Sequence, residues 1–148
     1  YREGRQAALP TRPPRKALPT RTAVAVLARD AAGRVLLTQR APDGLLGGLW
    51  ELPNGASGGT PTARDAARAL RTAAGMRATR MEARGCFSHT FTHFKQVWHL
   101  FEAIGLSGIP TADPRPSGAR FATPHELPLT TLTRRVLVLF LDYGTMKA

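Results

Sequence analysis

Cys86 is the only cysteine in a chain of 148 residues. One thiol cannot close an internal disulfide, and it cannot supply the thiolates of a four-cysteine iron–sulfur cluster or a cysteine-rich zinc site. Its expected place is that of a small buried residue. Long apolar runs are missing as well. The longest, Val136 to Leu141, falls far short of the roughly 20 residues that span a bilayer as a helix. Residues 1–15 carry Arg2, Arg5, Arg12 and Arg15 without a hydrophobic segment, which does not read as a secretory signal. Tyr1 in place of a methionine suggests a fragment or a trimmed chain. Acids are scarce, 10 against 21 Lys and Arg, for a formal charge of +11. Such an excess favours a polyanionic partner, because Lys and Arg neutralise phosphates and release condensed counterions. Its plainer reading is a compositional bias toward Arg and Ala. The length suits one compact domain, and a chain of this size buries roughly 68–70% of its surface, enough for a core without disulfides.

Residues 1–21 read as a basic, proline-rich connector in which Pro10, Pro13, Pro14 and Pro19 favour extended backbone. Residues 22–148 read as the folded domain. Thr22–Arg29 and Arg34–Arg40 are rich in Val and Leu and flank Asp30-Ala31-Ala32-Gly33, a hairpin signal. A glycine-rich stretch runs from Asp43 into Trp50-Glu51-Leu52-Pro53-Asn54-Gly55, a short strand with a sharp exit. A helix is predicted from Thr60 or Thr62, with Ala66, Ala69, Leu70 and Ala73 on one face and Arg64, Arg68 and Arg71 largely on the other; Gly75 closes it. Residues 82–103 read as two further strands, the second alternating from His93 to Phe101, with Trp50, Trp98 and Phe101 in the core. A last helix begins near Thr131 or Leu132 and reaches about Tyr143. This order predicts an α+β fold with a central mixed or antiparallel sheet flanked by helices.

The run Gly33–Leu37, the segment Trp50–Gly55, and a helix ending Arg68-Ala69-Leu70-Arg71-Thr72-Ala73-Ala74-Gly75-Met76 resemble the Nudix fold. In that family the box ends Arg-Glu-apolar-x-Glu-Glu-x-Gly-apolar, and its glutamates gather a divalent metal against a diphosphate. Arg68 and Gly75 match; the glutamate positions fall on Ala69, Thr72 and Ala73. Hard cations need several oxygen ligands, and methyl groups offer none. Glu51 and Asp65 are the nearest remaining acids, and they read as a strand-end acid and a helix-turn acid.

Gly44-Leu45-Leu46-Gly47-Gly48-Leu49-Trp50-Glu51-Leu52-Pro53, with Phe87-Ser88-His89-Thr90-Phe91-Thr92-His93-Phe94, resembles the C-terminal domain of the adenine DNA glycosylases, the MutY family. Leu18-Pro19-Thr20-Arg21 and Glu126-Leu127-Pro128-Leu129 sit where that domain has similar elements, so the resemblance covers nearly the whole chain. It implies a DNA lesion-recognition module that meets 8-oxoguanine opposite adenine, through a loop matched here by Phe87, Ser88 and His89. Oxidation at C8 gives guanine an N7–H donor and an O8 acceptor, and one serine hydroxyl can pair with both. Phe87 suits a wedge at the base or a core position at a strand end. His89 suits a contact to the base or an adjacent phosphate, His93 a hydrogen bond ordering the loop, and Thr90 and Thr92 local backbone bonds. Arg12, Arg15, Lys16, Arg21, Arg84 and Lys95 are candidate phosphate contacts. Histidines 89, 93 and 99 in one strand row would be too extended for a single ion, so no metal site is expected.

The resemblance further implies that excision belongs to a separate catalytic domain carrying a four-cysteine iron–sulfur cluster. No cofactor and no enzymatic activity are expected of this chain alone. Its implied partners are duplex DNA containing 8-oxoguanine:A and that catalytic domain, with no membrane, in the cytoplasm of a bacterial cell at the nucleoid. Two other classes stay open: a free-standing Nudix-type hydrolase of nucleoside diphosphate derivatives with an atypical metal site, and a protein-interaction module on the same scaffold.

Overall fold

A computed structural model describes residues 18–44, 46–110 and 118–141. The expected connector, with Arg12, Arg15 and Lys16, lies outside the described residues except for Leu18–Arg21. The elements in chain order are β1 (Thr20–Leu27), β2 (Val35–Gln39), β3 (Trp50–Glu51), β4 (Asn54–Ala56), α1 (Ala63–Ala74), β5 (Arg77–Thr90), β6 (Lys95–Ser107), β7 (Ala119–Ala122), a 3-10 turn (Pro124–Glu126) and α2 (Thr131–Leu141). The expected α+β arrangement is present, but the sheet is divided. One sheet has four strands in the order β4-β1-β6-β5, the other three in the order β3-β2-β7. Strands β1 and β6 run parallel, and every other pair is antiparallel.

The expected hairpin between the first two strands is only half right. Its turn forms, with the Gly33 amide donating to the Asp30 carbonyl and the Asp30 carboxylate accepting from the Ala32 and Arg34 amides. Beyond the single bridge between Arg29 and Val35 the strands part, β1 into the larger sheet and β2 into the smaller. The turn chemistry is local and readable. The choice of sheet depends on partners far along the chain.

Side-chain alternation along β1 and β6 feeds two cores. Ala23, Ala25, Leu27, Trp98 and Leu100 pack with Leu37 of β2 and with Val136 and Leu137 of α2. Val24, Val26, Phe101 and Ala103 pack on the opposite side against Ala66 and Leu70 of α1. Trp50, Trp98 and Phe101 are buried as expected.

Helix α1 matches the reading closely. Thr62 caps it, accepting from the Asp65 amide while the Asp65 carboxylate accepts from the Thr62 amide, a reciprocal capping box. Gly75 ends the helix in a left-handed conformation that costs glycine little. The alanine face lets the helix approach the sheet: a Cβ on Gly55 would stand 3.3 Å from that of Ala69.

Helix α2 is tied to β3 by buried threonines. The Thr133 hydroxyl accepts from the Leu52 amide at 3.2 Å and from the Thr130 hydroxyl at 2.9 Å, and the Thr130 amide donates to the Trp50 carbonyl. Thr133→Val keeps the shape but strands the buried Leu52 donor, which costs about 1–3 kcal/mol. Urea unfolding of the two proteins should show that loss at an unchanged slope.

Candidate nucleic-acid interface

Phe87-Ser88-His89, a loop by the family resemblance, lies in a strand, as the reading of residues 82–103 as two strands expects. Strand β5 runs through Thr90, the turn is confined to the next four residues, and the Phe91 amide closes it on the Phe94 carbonyl at 2.7 Å. Alternation therefore separates the three side chains. Phe87 packs against the α2-side core and meets Phe140 edge-on at 5.8 Å between ring centroids, which is the core placement. His89 faces the same side and meets Phe91 edge-on at 4.7 Å. Ser88 points to the α1 side with Cys86 and Thr90, and its hydroxyl has no hydrogen-bond partner among the described residues.

His93 lies in the exposed turn rather than on a strand, and His99 sits in mid-β6, so these histidines form no single row. Cys86, expected to be buried, is exposed, with its sulfur 3.5 Å from His99 Nδ1 across the β5–β6 ladder. Glycine at position 85 bends the strand here, where the β5–β6 register shifts between Ala83 and Gly85. Among the described residues no group of three His, Cys, Asp or Glu side chains is placed to hold a metal ion.

On the α2 side a cavity of about 340 Å³ opens between the hairpin and α2, lined among others by His89, Phe91, Phe94, Trp98, Asn54 and Gln96. At its wall Arg40 Nη1 bridges both carboxylate oxygens of the buried Glu51, at 3.0 and 3.1 Å. Phe91 and Phe94 stack at 4.7 Å, and the Arg21 guanidinium covers the Phe94 ring at 4.0 Å. Arg135 of α2 donates to the Ser88 carbonyl at 2.6 Å and holds the strand from behind. Sequence reading missed Arg135, since 47 residues separate the partners and no spacing marks the contact.

The candidate phosphate ligands differ sharply in availability. Arg84 is held between Glu102, at 3.0 Å from Nε, and Glu82, at 2.7 Å from Nη2, which together raise its pKa and remove it as a free phosphate contact. Arg21 is committed to Phe94. Lys95 is exposed and makes no ion pair among the described residues. Burial alone would push the Glu102 carboxyl upward, but hydrogen bonds from Arg29 and Arg84 outweigh it and hold the pKa below its ordinary value.

The sequence over residues 23–138 matches the NUDIX domain family, and the chain belongs to it. It is 30% identical over 139 residues to human adenine DNA glycosylase, with 89% of this chain and 24% of that protein covered. The chain thus spans about a quarter of that relative's length. Among solved structures, the MutT protein from Methanosarcina mazei superposes with a TM-score of 0.70 at 18% identity, covering 90% of this chain and 99% of that one, a likeness of fold alone. The C-terminal domain of mouse MUTYH, solved in complex with human PCNA, gives a TM-score of 0.62 at 25% identity, covering 84% and 89%.

A divalent cation of the kind Nudix glutamates gather does not fit the residues at the box. Ala69 and Ala73 are buried methyl groups and Thr72 is an exposed hydroxyl. Both oxygens of Glu51 are taken by Arg40, and the Asp65 carboxylate is taken by Thr62 and Arg68. Hydrogen bonding to the Thr62 amide leads the effects that lower the Asp65 pKa. The nearby acids are thus structural, as their positions in the sequence suggested.

Because the folded-state pKa of Glu102 is depressed, its contribution to stability is complete above the ordinary glutamate value of about 4.3 and is lost as pH falls through the lower folded value. Glu102→Gln should flatten the fall in denaturation midpoint over this acid range. Arg135→Ala should speed amide exchange in residues 88–95 more than in α1, as read by hydrogen-exchange mass spectrometry.

Proposed function

We propose that this domain is the lesion-recognition module of an adenine DNA glycosylase, meeting 8-oxoguanine opposite adenine in duplex DNA with Ser88 as the discriminating group. The observation that carries the reading is the 30% identity to an adenine DNA glycosylase across most of the chain, joined to the replacement of the box carboxylates by Ala69, Thr72 and Ala73. The unpartnered Ser88 hydroxyl supports it chemically, since a hydroxyl donates to O8 and accepts from N7–H, whereas guanine presents only acceptors on that edge. Phe87, half-buried against α2, positions the strand, while His89, Thr90 and His93 surround the hairpin end.

Excision, and the iron–sulfur cluster expected with it, belong on this reading to a separate catalytic domain that takes the flipped adenine at a cost of a few kcal/mol of unstacking. The partners are the lesion duplex and that domain, and the chain before β1 serves as the connector, which is shorter than the expected 1–21 because Thr20 and Arg21 already pair with Lys95 and Gln96. No helix among the described residues is long and apolar enough to cross a membrane. The site of action is the chromosome, here read as the bacterial nucleoid.

A nucleotide hydrolase is the second reading, favoured by the fold shared with MutT proteins and by the aromatic-lined cavity. It requires magnesium-dependent turnover of a nucleoside diphosphate derivative, and we expect none.

Fluorescence anisotropy with matched 8-oxoguanine:A and G:A duplexes tests the lesion reading. The wild-type chain should favour the lesion by about 1–3 kcal/mol, the worth of a base-edge contact, and Ser88→Ala should erase the preference. Equal binding of both duplexes by the wild-type chain, or an undiminished preference in Ser88→Ala, would overturn it.

A further inference from the structure

Helix α1 covers only part of its side of the four-stranded sheet, and the rest is open. Across that open part the register sets out two rows of side chains, Thr20, Lys95 and Thr90, then Thr22, Val97 and Ser88, and the half-buried His99 and exposed Cys86 of a third, whose Val24 is already buried under α1. The next row, beginning with Val26 and Phe101, is under α1. At the outer edge the chain from Ser57 to Pro61 rises beside the sheet and makes a groove of about 440 Å³, lined by Thr20, Thr22, Ser57, Thr60 and His99.

Resting on the lesion-recognition reading, we infer that this groove and the open rows beside it seat the sugar–phosphate backbone of one strand of duplex DNA. Three observations converge. No Asp or Glu occurs in residues 18–24, 54–62, 86–90 or 95–99, the segments that floor and wall the surface. The side chains that line the groove are mainly hydroxyls and an imidazole, with the Lys95 ammonium in the row beside it, groups that contact phosphate, and the lining lacks the large aromatic anchors that mark protein interfaces. The unpartnered Ser88 hydroxyl stands on this face, in the row of Thr22, so a strand lying here passes beside the group that reads the base. Helix α1 extends the same side with exposed Arg64 and Arg71, neither of which has a carboxylate partner among the described residues. On the opposite side the corresponding groups are already used: His89 is against Phe91, Arg21 on Phe94, and Arg135 on the Ser88 carbonyl.

The test compares two charge-matched variants on the 8-oxoguanine:A duplex. Ser57→Glu with Thr60→Glu places two carboxylates in the groove, and Arg120→Glu makes the same change of charge on β7, away from it. Both are checked for folding by thermal melting. The groove variant should bind at least about tenfold more weakly at moderate salt, and Arg120→Glu should bind within about threefold of wild type, because exposed charges beyond a Debye length are screened. Lys95→Ala should make the plot of log affinity against log salt shallower by about 0.9, the mark of one lost phosphate contact. Equal losses in the two charge variants, or an unaffected groove variant, would overturn the seat and leave lesion recognition standing if wild type still prefers the lesion. No binding by wild type would overturn both.

Discussion

Strand β6 is paired along both edges, with β1 on one side and β5 on the other. Its alternation is thereby fixed, since a slip of one residue would send Trp98 and Leu100 to the α1 side and Phe101 and Ala103 to the α2 side. Both cores depend on that register. So does the placement of β5, whose Phe87 lies opposite Trp98 and whose Ser88 lies opposite Val97. The apolar packing that holds Phe87 on α2 is also what turns the Ser88 hydroxyl outward on the other face. An unpartnered hydroxyl is presented here by packing its neighbour into the core.

Charge is distributed with similar consequence. Asp30, Glu51, Asp65, Glu82 and Glu102 each pair with an arginine. The exposed pairs among them contribute little to stability, but all of them decide which cations stay available. Arg84 is withdrawn into a network with Glu82 and Glu102, whereas Lys95, Arg64 and Arg71 remain free of carboxylates among the described residues. Among the described residues the fold thus decides which cations are paired and which are left without a carboxylate. A box stripped of its carboxylates belongs to the same pattern. At Ala69 the lost acid becomes a close helix-to-sheet contact with Gly55, so packing occupies what would otherwise be a place for metal ligands.

Helix α1 was legible in detail because its determinants are local: a capping box within four residues, a period of small apolar residues, and a left-handed glycine at the end. The burial of Trp50, Trp98 and Phe101 and a start of α2 near Thr131 or Leu132 were legible from periodicity too, while the choice between a mixed and an antiparallel sheet was not. Phe87 to Thr90 lay within the residues read as strands, whereas the family resemblance implied a loop there. Pairing with residues 95–99 made it a strand. Cys86 defeated the expectation of burial because it stands on β5, at the far end of a row of which α1 covers only the Val24 end.

By itself, then, the sequence determined the caps of α1, the start of α2, the turn at Asp30–Gly33, the burial of Trp50, Trp98 and Phe101 and the loss of carboxylates from the box, all properties of residue type and short spacing. Only the tertiary structure decided that β1 and β2 part into different sheets, that Arg135 reaches the Ser88 carbonyl, that Arg84 is captured by two acids, and that Ser88 and His89 face opposite ways. The physical reason is common to these cases. Each depends on a partner distant in sequence, and the free energy that selects it, from strand pairing, burial and ion pairing, exists only once the chain has brought the partners together.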